Sequence, residues 1–133
     1  MEIKPIGYVR NDAEKDVDFD ELISIIEILP EYADGLYRIE ECDELEIIFY
    51  FHKSNSYKLK VHPHHDPTQP EVGVFSSRSP SRPNFLGLTR VKLLKRDGNV
   101  LIVKGLDAFN GTPVIDIKPA TRRDQRKLSD IKD

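Results

Sequence analysis

Short segments in which apolar and polar residues alternate recur along most of the chain. Successive side chains of a β-strand point to opposite faces, so a period of two predicts half-buried strands. A short helix is predicted around Glu31–Ile39, interrupted by Gly35. Few helices among seven or eight short strands predict an all-β fold, a small closed or nearly closed antiparallel barrel with one short helix. The predicted strands are Ile3–Val9, Ile23–Leu29, Leu45–Phe51, Tyr57–Val61, Val72–Phe75, Thr89–Lys95, Val100–Leu106 and Val114–Ile117.

Turn residues separate several of these strands. Asp97-Gly98-Asn99 is a strong hairpin signal between the sixth and seventh strands. Asn110-Gly111 predicts a second tight turn before the last strand. The segment Asp12–Asp20 is acidic and poor in apolar residues, which predicts a surface loop.

Length and composition indicate one domain. The 133 residues are enough for a core that needs neither metals nor disulfides. We expect a single barrel domain over residues 1–120, followed by a charged tail at 121–133 that is ordered weakly or only against a partner. The single cysteine, Cys42, suits a reducing compartment. With no signal peptide and no apolar run of about 18 residues, we expect a soluble cytoplasmic protein.

Charge is distributed unevenly along the chain. Residues 1–77 contain 7 Lys and Arg against 17 Asp and Glu, whereas residues 78–133 contain 13 against 6. Such asymmetry permits a basic face for nucleic acid on a chain whose net charge is -3. Ordinary solvated lysines explain the charge equally well, so charge alone leaves both interpretations open.

The most informative segment is Gly73–Gly87, which reads GVFSSRSPSRPNFLG. Pro80 and Pro83 each lack a backbone donor and have a fixed φ, so neither a helix nor a strand ladder continues through it. Four serines, two arginines and an asparagine remain as polar groups for an anionic or polar ligand. A flexible linker has a similar composition. The apolar residues on both flanks favour a loop anchored in the core.

Three other segments contain candidate chemistry. His52-Lys53 ends an apolar run, where the imidazole can stack on a ligand or bond to it. The turn Asp107–Asn110 offers acceptor side chains, although Asp and Asn also simply favour turns. His62, His64 and His65 suggest a metal, but their spacing fits none of the usual zinc patterns. No Walker loop, dinucleotide fingerprint or nucleophile elbow is present.

Four motifs together resemble a known family. IKPIGYVR at the start, VHPHHDP at 61–67, GVFSSRSPSRPNFLGL at 73–88 and GLDAFNGTPVIDIKP at 105–119 occur in the order found in the TsaA-like, or TrmO, family. The resemblance covers nearly the whole chain. The chain is similar to a short member without the C-terminal extension of longer bacterial members. It departs from the usual RPNPIG of the family at Phe85 and Leu86.

This resemblance implies an S-adenosylmethionine-dependent methyltransferase built on an all-β barrel. Family members are homodimers that bind the cofactor near the subunit interface. They methylate N6 of threonylcarbamoyladenosine beside the anticodon of tRNA. By position, the family's cofactor contacts correspond to His52, Lys53, Arg78, Leu88, Asp107, Ala108, Phe109 and Asn110.

Roles for individual residues follow as hypotheses. Asp107 would face the sulfonium, and Asn84 or Asn110 would accept a hydrogen bond from the adenine amine, making these three the candidate catalytic residues. RNA contacts are predicted for Arg82, Arg90, Lys92, Arg122, Arg123 and Arg126. Two alternatives stay open: a non-catalytic module that binds S-adenosylmethionine or a nucleotide, and a metal-binding protein built on the histidine cluster.

Overall fold

A closed antiparallel barrel forms the body of the protein, which confirms the predicted fold class. The computed structural model describes residues 1–13 and 17–120. Six strands close the barrel in the order β1-β2-β7-β6-β3-β8, and β4 and β5 form a separate two-stranded sheet. The strands are β1 (Gly7–Arg10), β2 (Ile23–Ile28), β3 (Glu44–Tyr50), β4 (Lys60–Val61), β5 (Val72–Gly73), β6 (Leu86–Asp97), β7 (Val100–Lys104) and β8 (Pro113–Pro119).

The alternating apolar residues fill the barrel. On β3, Leu45, Ile47 and Phe49 are buried, whereas the residues between them are partly exposed. The same alternation buries Leu101 and Val103 on β7. Truncating one such side chain to alanine costs about 2–5 kcal/mol, because both its burial and its close packing are lost. The strand pattern therefore specifies which face of each strand turns inward.

Two irregularities help the sheet to curve. Leu94 is an extra residue in β6, where the register against β7 shifts between Leu93 and Lys95. A second shift, at Ile48 and Phe49 of β3, leaves one extra residue in β8. Such bulges bend a strand and increase its twist. They are consistent with the curvature that closure of a barrel requires.

Several strands are shorter than the sequence predicts. The first begins at Gly7 rather than Ile3, after Pro5, which has no backbone donor. The fourth pairs only over Lys60–Val61. The fifth ends at Gly73, because the chain turns into a 3-10 helix over Val74–Ser76.

The predicted short helix is of the 3-10 type and spans Pro30–Leu36. It runs through Gly35, and the interruption comes later, at Arg38 with its φ of 66°. Further 3-10 turns lie at Ile39–Glu41 and Pro63–His65. None of the helices within residues 1–13 and 17–120 has the length and hydropathy needed to cross a membrane.

The sheet of β4 and β5 lies outside the barrel and supports the loop that follows it. The Val74 amide donates to the Leu59 carbonyl at 2.8 Å. The Lys58 amide donates to the Ser81 carbonyl at 3.1 Å. Val61 and Val74 are both buried. The segment before β4 therefore runs alongside the loop of residues 73–87. The predicted tail at 121–133 lies outside the described residues.

Candidate functional site

A cleft of about 840 Å³ lies where several strand ends meet. The end of β3, the start of β6 and the connection between β7 and β8 contribute its walls. Phe19 and Asp20, which precede β2, complete it. This volume is within the usual range for small-molecule sites, roughly 300–1,000 Å³. The cleft is thus a candidate ligand site on the barrel.

One wall is the loop of residues 73–87, which is shaped by its own hydroxyls. The Ser77 hydroxyl donates to the Val74 carbonyl at 2.9 Å. The Ser79 and Ser81 amides donate to the hydroxyls of Ser77 and Ser79, at 3.3 and 3.1 Å. The sequence predicts that the serines offer polar groups to a ligand. The hydroxyls of Ser77 and Ser79 instead engage the loop's own backbone.

The two arginines of this loop have different surroundings. Arg82 donates from one nitrogen to the carbonyls of Ser77 and Ser79, at 2.8 and 3.2 Å. It therefore fastens the loop, and its predicted RNA contact competes with these bonds. Arg78 is exposed and reaches across the cleft wall to the Leu88 carbonyl at 2.9 Å. Both side chains line the cleft, with Arg78 the more accessible to a ligand.

The opposite wall is the connection of residues 105–112. Leu106 and Ala108 are buried in the barrel core, and Asp107 between them is exposed to the cleft. Asn11 fixes this wall from the end of β1. Its side-chain amide donates to the Ala108 carbonyl at 3.0 Å, and its backbone amide donates to the Asn110 side-chain oxygen at 3.1 Å. The position of Asp107 therefore depends on the core.

Two carboxylates give this wall its negative character. Partial burial, and then the charge of Asp20, raise the pKa of Asp107 above its ordinary value. Within the described residues, neither carboxylate forms an ion pair with a basic side chain. A positively charged ligand in the cleft would therefore stabilise the ionised form of these carboxylates.

Aromatic and basic side chains extend the same wall. The Phe19 and Phe109 rings meet edge to face with centroids 5.6 Å apart. The Lys53 ammonium lies 5.0 Å from the centre of the Phe109 ring. Burial, and then the Lys53 charge, lower the pKa of His52, which favours a neutral imidazole. Its Nδ1 lies 3.4 Å from the Thr112 hydroxyl.

Most of the predicted cofactor contacts converge on the cleft. Its lining includes seven of them, His52, Lys53, Arg78, Leu88, Asp107, Ala108 and Phe109, together with Arg82 and Arg90. Three predicted site residues are absent from the lining. Asn110 accepts the Asn11 amide, Asn84 is exposed in a turn, and Lys92 lies farther along β6. Arg122, Arg123 and Arg126 lie outside the described residues.

Sequence reasoning missed part of the lining. The sequence predicts an acidic surface loop at Phe19 and Asp20, strands that end at Phe51 and Phe75, and a loop that ends at Gly87. It predicts no site role for these five residues, which line the cleft. A Cβ on Gly87 would lie 2.7 Å from ring atoms of both Phe49 and Phe51. Only a glycine avoids this contact and leaves the two rings in place beside the cleft. The motif FLGL carried a usable signal, since a glycine inside a strand often marks a close approach.

The three clustered histidines do not assemble a metal site. His62 Nδ1 lies 2.9 Å from the Gln69 carbonyl, with which it can hydrogen-bond. Over the ranges that the structure describes, no group of three or more His, Cys, Asp and Glu side chains is arranged to hold a metal ion. This cluster therefore offers no support for the metal-binding alternative.

Comparison with known proteins identifies relatives that match about two thirds or more of the chain. A protein of Archaeoglobus fulgidus named S-adenosyl-L-methionine-binding protein is 44% identical over 124 residues, covering 89% of this chain and 88% of its own. The tRNA (adenine(37)-N6)-methyltransferase of Mus musculus is 46% identical over 92 residues, covering 68% of this chain and 21% of its own. The crystal structure of TrmO from Pseudomonas aeruginosa superposes with a TM-score of 0.71 at 26% identity, covering 90% of this chain and 55% of that one.

Some relatives are much longer than the chain. A second Archaeoglobus fulgidus protein, named probable S-adenosyl-L-methionine-binding protein, is 54% identical over 94 residues, which are 71% of this chain and 25% of its own. The family described as tRNA-methyltransferase O N-terminal domain matches residues 13–124. Because that match extends over most of the barrel, the chain belongs to the tRNA-methyltransferase O N-terminal domain family.

Proposed function

We propose that the cleft binds S-adenosylmethionine and that the chain methylates N6 of the adenosine at position 37 of tRNA. The names of these relatives support both the cofactor and the substrate class. We propose threonylcarbamoyladenosine as the modified form of that adenosine. The structural observation that carries the proposal is one cleft with two carboxylates on one wall and an accessible arginine on the other.

The residues of the cleft fit the chemistry of this cofactor. An amino acid carboxylate matches the guanidinium of Arg78, which can bind it through forked hydrogen bonds. An ammonium and a sulfonium match the acidic wall of Asp20 and Asp107. The rings of Phe51 and Phe109 supply apolar surface for a nucleobase.

When bound, S-adenosylmethionine would supply a methyl group from its sulfur to N6, leaving a neutral thioether, and the carbamoylated N6 would lose its one proton. The chain contributes chiefly by positioning the reactants, which is the main source of rate in an in-line transfer. Asp107 stabilises positive charge beside the reacting atoms. Its raised pKa makes it a better acceptor for the released proton than an ordinary aspartate.

The asparagines take supporting roles in this proposal. Asn110 holds the turn through Asn11, so its side-chain oxygen is engaged away from the cleft. Asn84 is exposed beside Phe85, whose φ of 55° places it in the left-handed region. Proline cannot adopt this φ. The turn at Phe85 is therefore incompatible with the RPNPIG form of the motif.

Transfer of methyl groups to tRNA provides the decisive test. Unmodified and threonylcarbamoylated tRNA would each be incubated with protein and S-adenosylmethionine, and the nucleosides analysed by mass spectrometry. We expect a mass increase of one methyl group on the modified adenosine, with a verified active relative as positive control. No methylated product in either tRNA would contradict the proposal.

A non-catalytic cofactor-binding module is the second candidate. The name of the Archaeoglobus fulgidus relative, which matches this chain over nearly its full length, mentions binding and no reaction. Calorimetry separates the two candidates. Tight binding of S-adenosylmethionine with no turnover on any tRNA would favour the module.

We also propose that the protein works as a cytoplasmic homodimer, as the resemblance to the family implies. Sedimentation velocity at micromolar concentration tests the assembly, and a monomeric mass would contradict it. Fractionation of the cells that produce the protein tests the location.

A further inference from the structure

A strip of exposed apolar and basic side chains borders the cleft. We use the name outer strip for Tyr57, Lys58, Leu59, Lys60 and Phe75. The exposed fractions of its three apolar side chains are 54% for Tyr57, 62% for Leu59 and 75% for Phe75. Such exposure of neighbouring large apolar groups marks an interaction surface. The outer strip is therefore a candidate interaction surface.

Backbone bonds make the outer strip continuous with the cleft. The Val74 amide donates to the Leu59 carbonyl, which places Phe75 next to the segment before β4. Phe75 itself lines the cleft together with Arg78. A ligand that extends out of the cleft past Phe75 therefore meets the outer strip.

The charge of the outer strip favours a polyanion. The sequence has no Asp or Glu in residues 52–65 or in residues 72–96. Among the described residues, Lys58 and Lys60 form no ion pair. The basic residues of β6, unlike Lys58 and Lys60, have acidic neighbours. Glu44 and Glu46 of β3 stand opposite Lys92 and Arg90. Arg90 also lies 3.9 Å from Glu44.

We propose that the outer strip binds the single-stranded RNA that flanks the acceptor adenosine. Aromatic groups together with basic groups suit this ligand, because unstacked bases lie on aromatic rings and lysines neutralise the phosphates. Phe75 and Tyr57 are the stacking platforms, and Lys58 and Lys60 contact the backbone. This inference rests on the proposed function, since it names the surface by which the same site holds its RNA.

Binding of a fluorescently labelled anticodon stem–loop RNA tests the aromatic platforms. Each of Phe75→Ala and Tyr57→Ala should weaken binding roughly 5-fold to 150-fold. The chain contains no tryptophan, so Phe75→Trp introduces a single indole reporter. Its fluorescence should be quenched by unlabelled RNA of the same sequence while affinity is retained. Unchanged affinity in both alanine variants, or no quenching of the indole emission in Phe75→Trp, would overturn the proposal.

The salt dependence of binding tests the lysines. Replacing Lys58 and Lys60 with glutamine should reduce the slope of log affinity against log salt by about 1.4, since each single-strand phosphate contact contributes about 0.7. Lys4→Gln with Lys95→Gln is the matched control, which removes the same charge from two exposed lysines outside the cleft and the strip. An equal reduction in the control would show a general charge effect and refute the lysine contacts.

Two further measurements separate this inference from its alternatives. Loss of a dimer in Tyr57→Ala or Phe75→Ala, seen by sedimentation, would assign the strip to contact between copies of the chain and overturn the RNA assignment. Methylation and RNA affinity that persist in both variants would refute the strip and leave the proposed function standing. RNA binding through the outer strip without any methylation would support the outer strip and contradict the proposed function.

Discussion

The two walls of the cleft are held in place by different means. The loop of residues 73–87 is fastened by hydrogen bonds of its own serines and Arg82 and by backbone bonds to the neighbouring segment before β4. The connection of residues 105–112 is anchored in the barrel core by Leu106 and Ala108. A change in the loop network should therefore alter one wall without unfolding the barrel, whereas the other wall cannot move without the core.

The walls also differ in charge. Arg78 is presented by the loop of residues 73–87, and Asp107 by the core-anchored connection of residues 105–112. Arg78, with the longer and more flexible side chain, is thus on the loop wall. Asp107, with the shorter side chain, is on the wall that the barrel core positions. Reaction chemistry demands accurate placement. We therefore propose that the loop wall recognises the cofactor and that the acidic wall holds the reacting centre.

The largest expected effect comes from the acidic wall. Asp107→Asn should lower methyl transfer about 100-fold, the usual effect of losing one preorganised electrostatic group. It should also reduce the preference for the sulfonium cofactor over its neutral thioether product. Asp116→Asn is the control, because that carboxylate pairs with Lys118 at 3.4 Å and does not line the cleft. Equal rates of methyl transfer in wild type and Asp107→Asn would show that Asp107 takes no part in the reaction.

The same substitution should affect stability in the opposite direction. The pKa of Asp107 is raised in the folded state, so wild-type stability falls as pH rises from the ordinary aspartate value through the raised one. Asp107→Asn should therefore melt at a higher temperature than wild type at neutral pH. This advantage should disappear in acid. Melting curves across pH that show a loss of stability at neutral pH would contradict the direction of the pKa shift.

The next largest effect is expected at the two arginines of the loop wall. They test whether Arg78 binds the ligand and Arg82 holds the loop. Arg78→Ala should weaken S-adenosylmethionine binding by about tenfold or more, which corresponds to a charged hydrogen bond of about 1.5–3 kcal/mol. Its melting temperature should hardly change. Arg82→Ala should instead make residues 73–87 more sensitive to proteolysis and should lower the melting temperature. Calorimetry and limited proteolysis of both variants would show the reverse pattern if the assignments were exchanged.

Gly87 lies where the barrel and the cleft meet. Gly87→Ala should destabilise the fold by about 1–3 kcal/mol, because the new methyl group meets the Phe49 and Phe51 rings. It should also weaken cofactor binding by displacing Phe51. Gly35→Ala is the matched control, with no atom within 4 Å of the added Cβ. Similar denaturation midpoints for the two variants would show that the Phe49 and Phe51 rings move aside without a cost in stability.

The smallest effect is expected at Lys53. Lys53→Met removes the cation above the Phe109 ring but keeps most of the side-chain length. We expect a loss of about 0.5–1 kcal/mol in cofactor binding, as for an exposed cation–π contact. A much larger loss, measured by calorimetry, would show that Lys53 contacts the ligand directly.

Local pattern accounts for the strands and for the class of fold. The alternation in residues 45–51 predicts β3 because every second side chain is buried in the barrel. The hairpin turn at Gly98 and Asn99 follows from Gly98, which adopts the required φ of 63° without steric cost. The prolines of the 73–87 loop likewise exclude regular structure over most of its length. All of these features depend on residues that are close together in the chain.

The site itself required contacts between distant parts of the chain. No local pattern distinguishes the bonds of Arg78 from those of Arg82, because their difference depends on which carbonyls lie within reach. Phe19 and Phe109 are 90 positions apart and meet only when the barrel closes. The sequence by itself thus determined the strands, the turns and the stiff polar loop, through local periodicity and backbone restriction. Only the tertiary structure decided which side chains share the cleft, because strand register and barrel closure place residues that no local pattern relates.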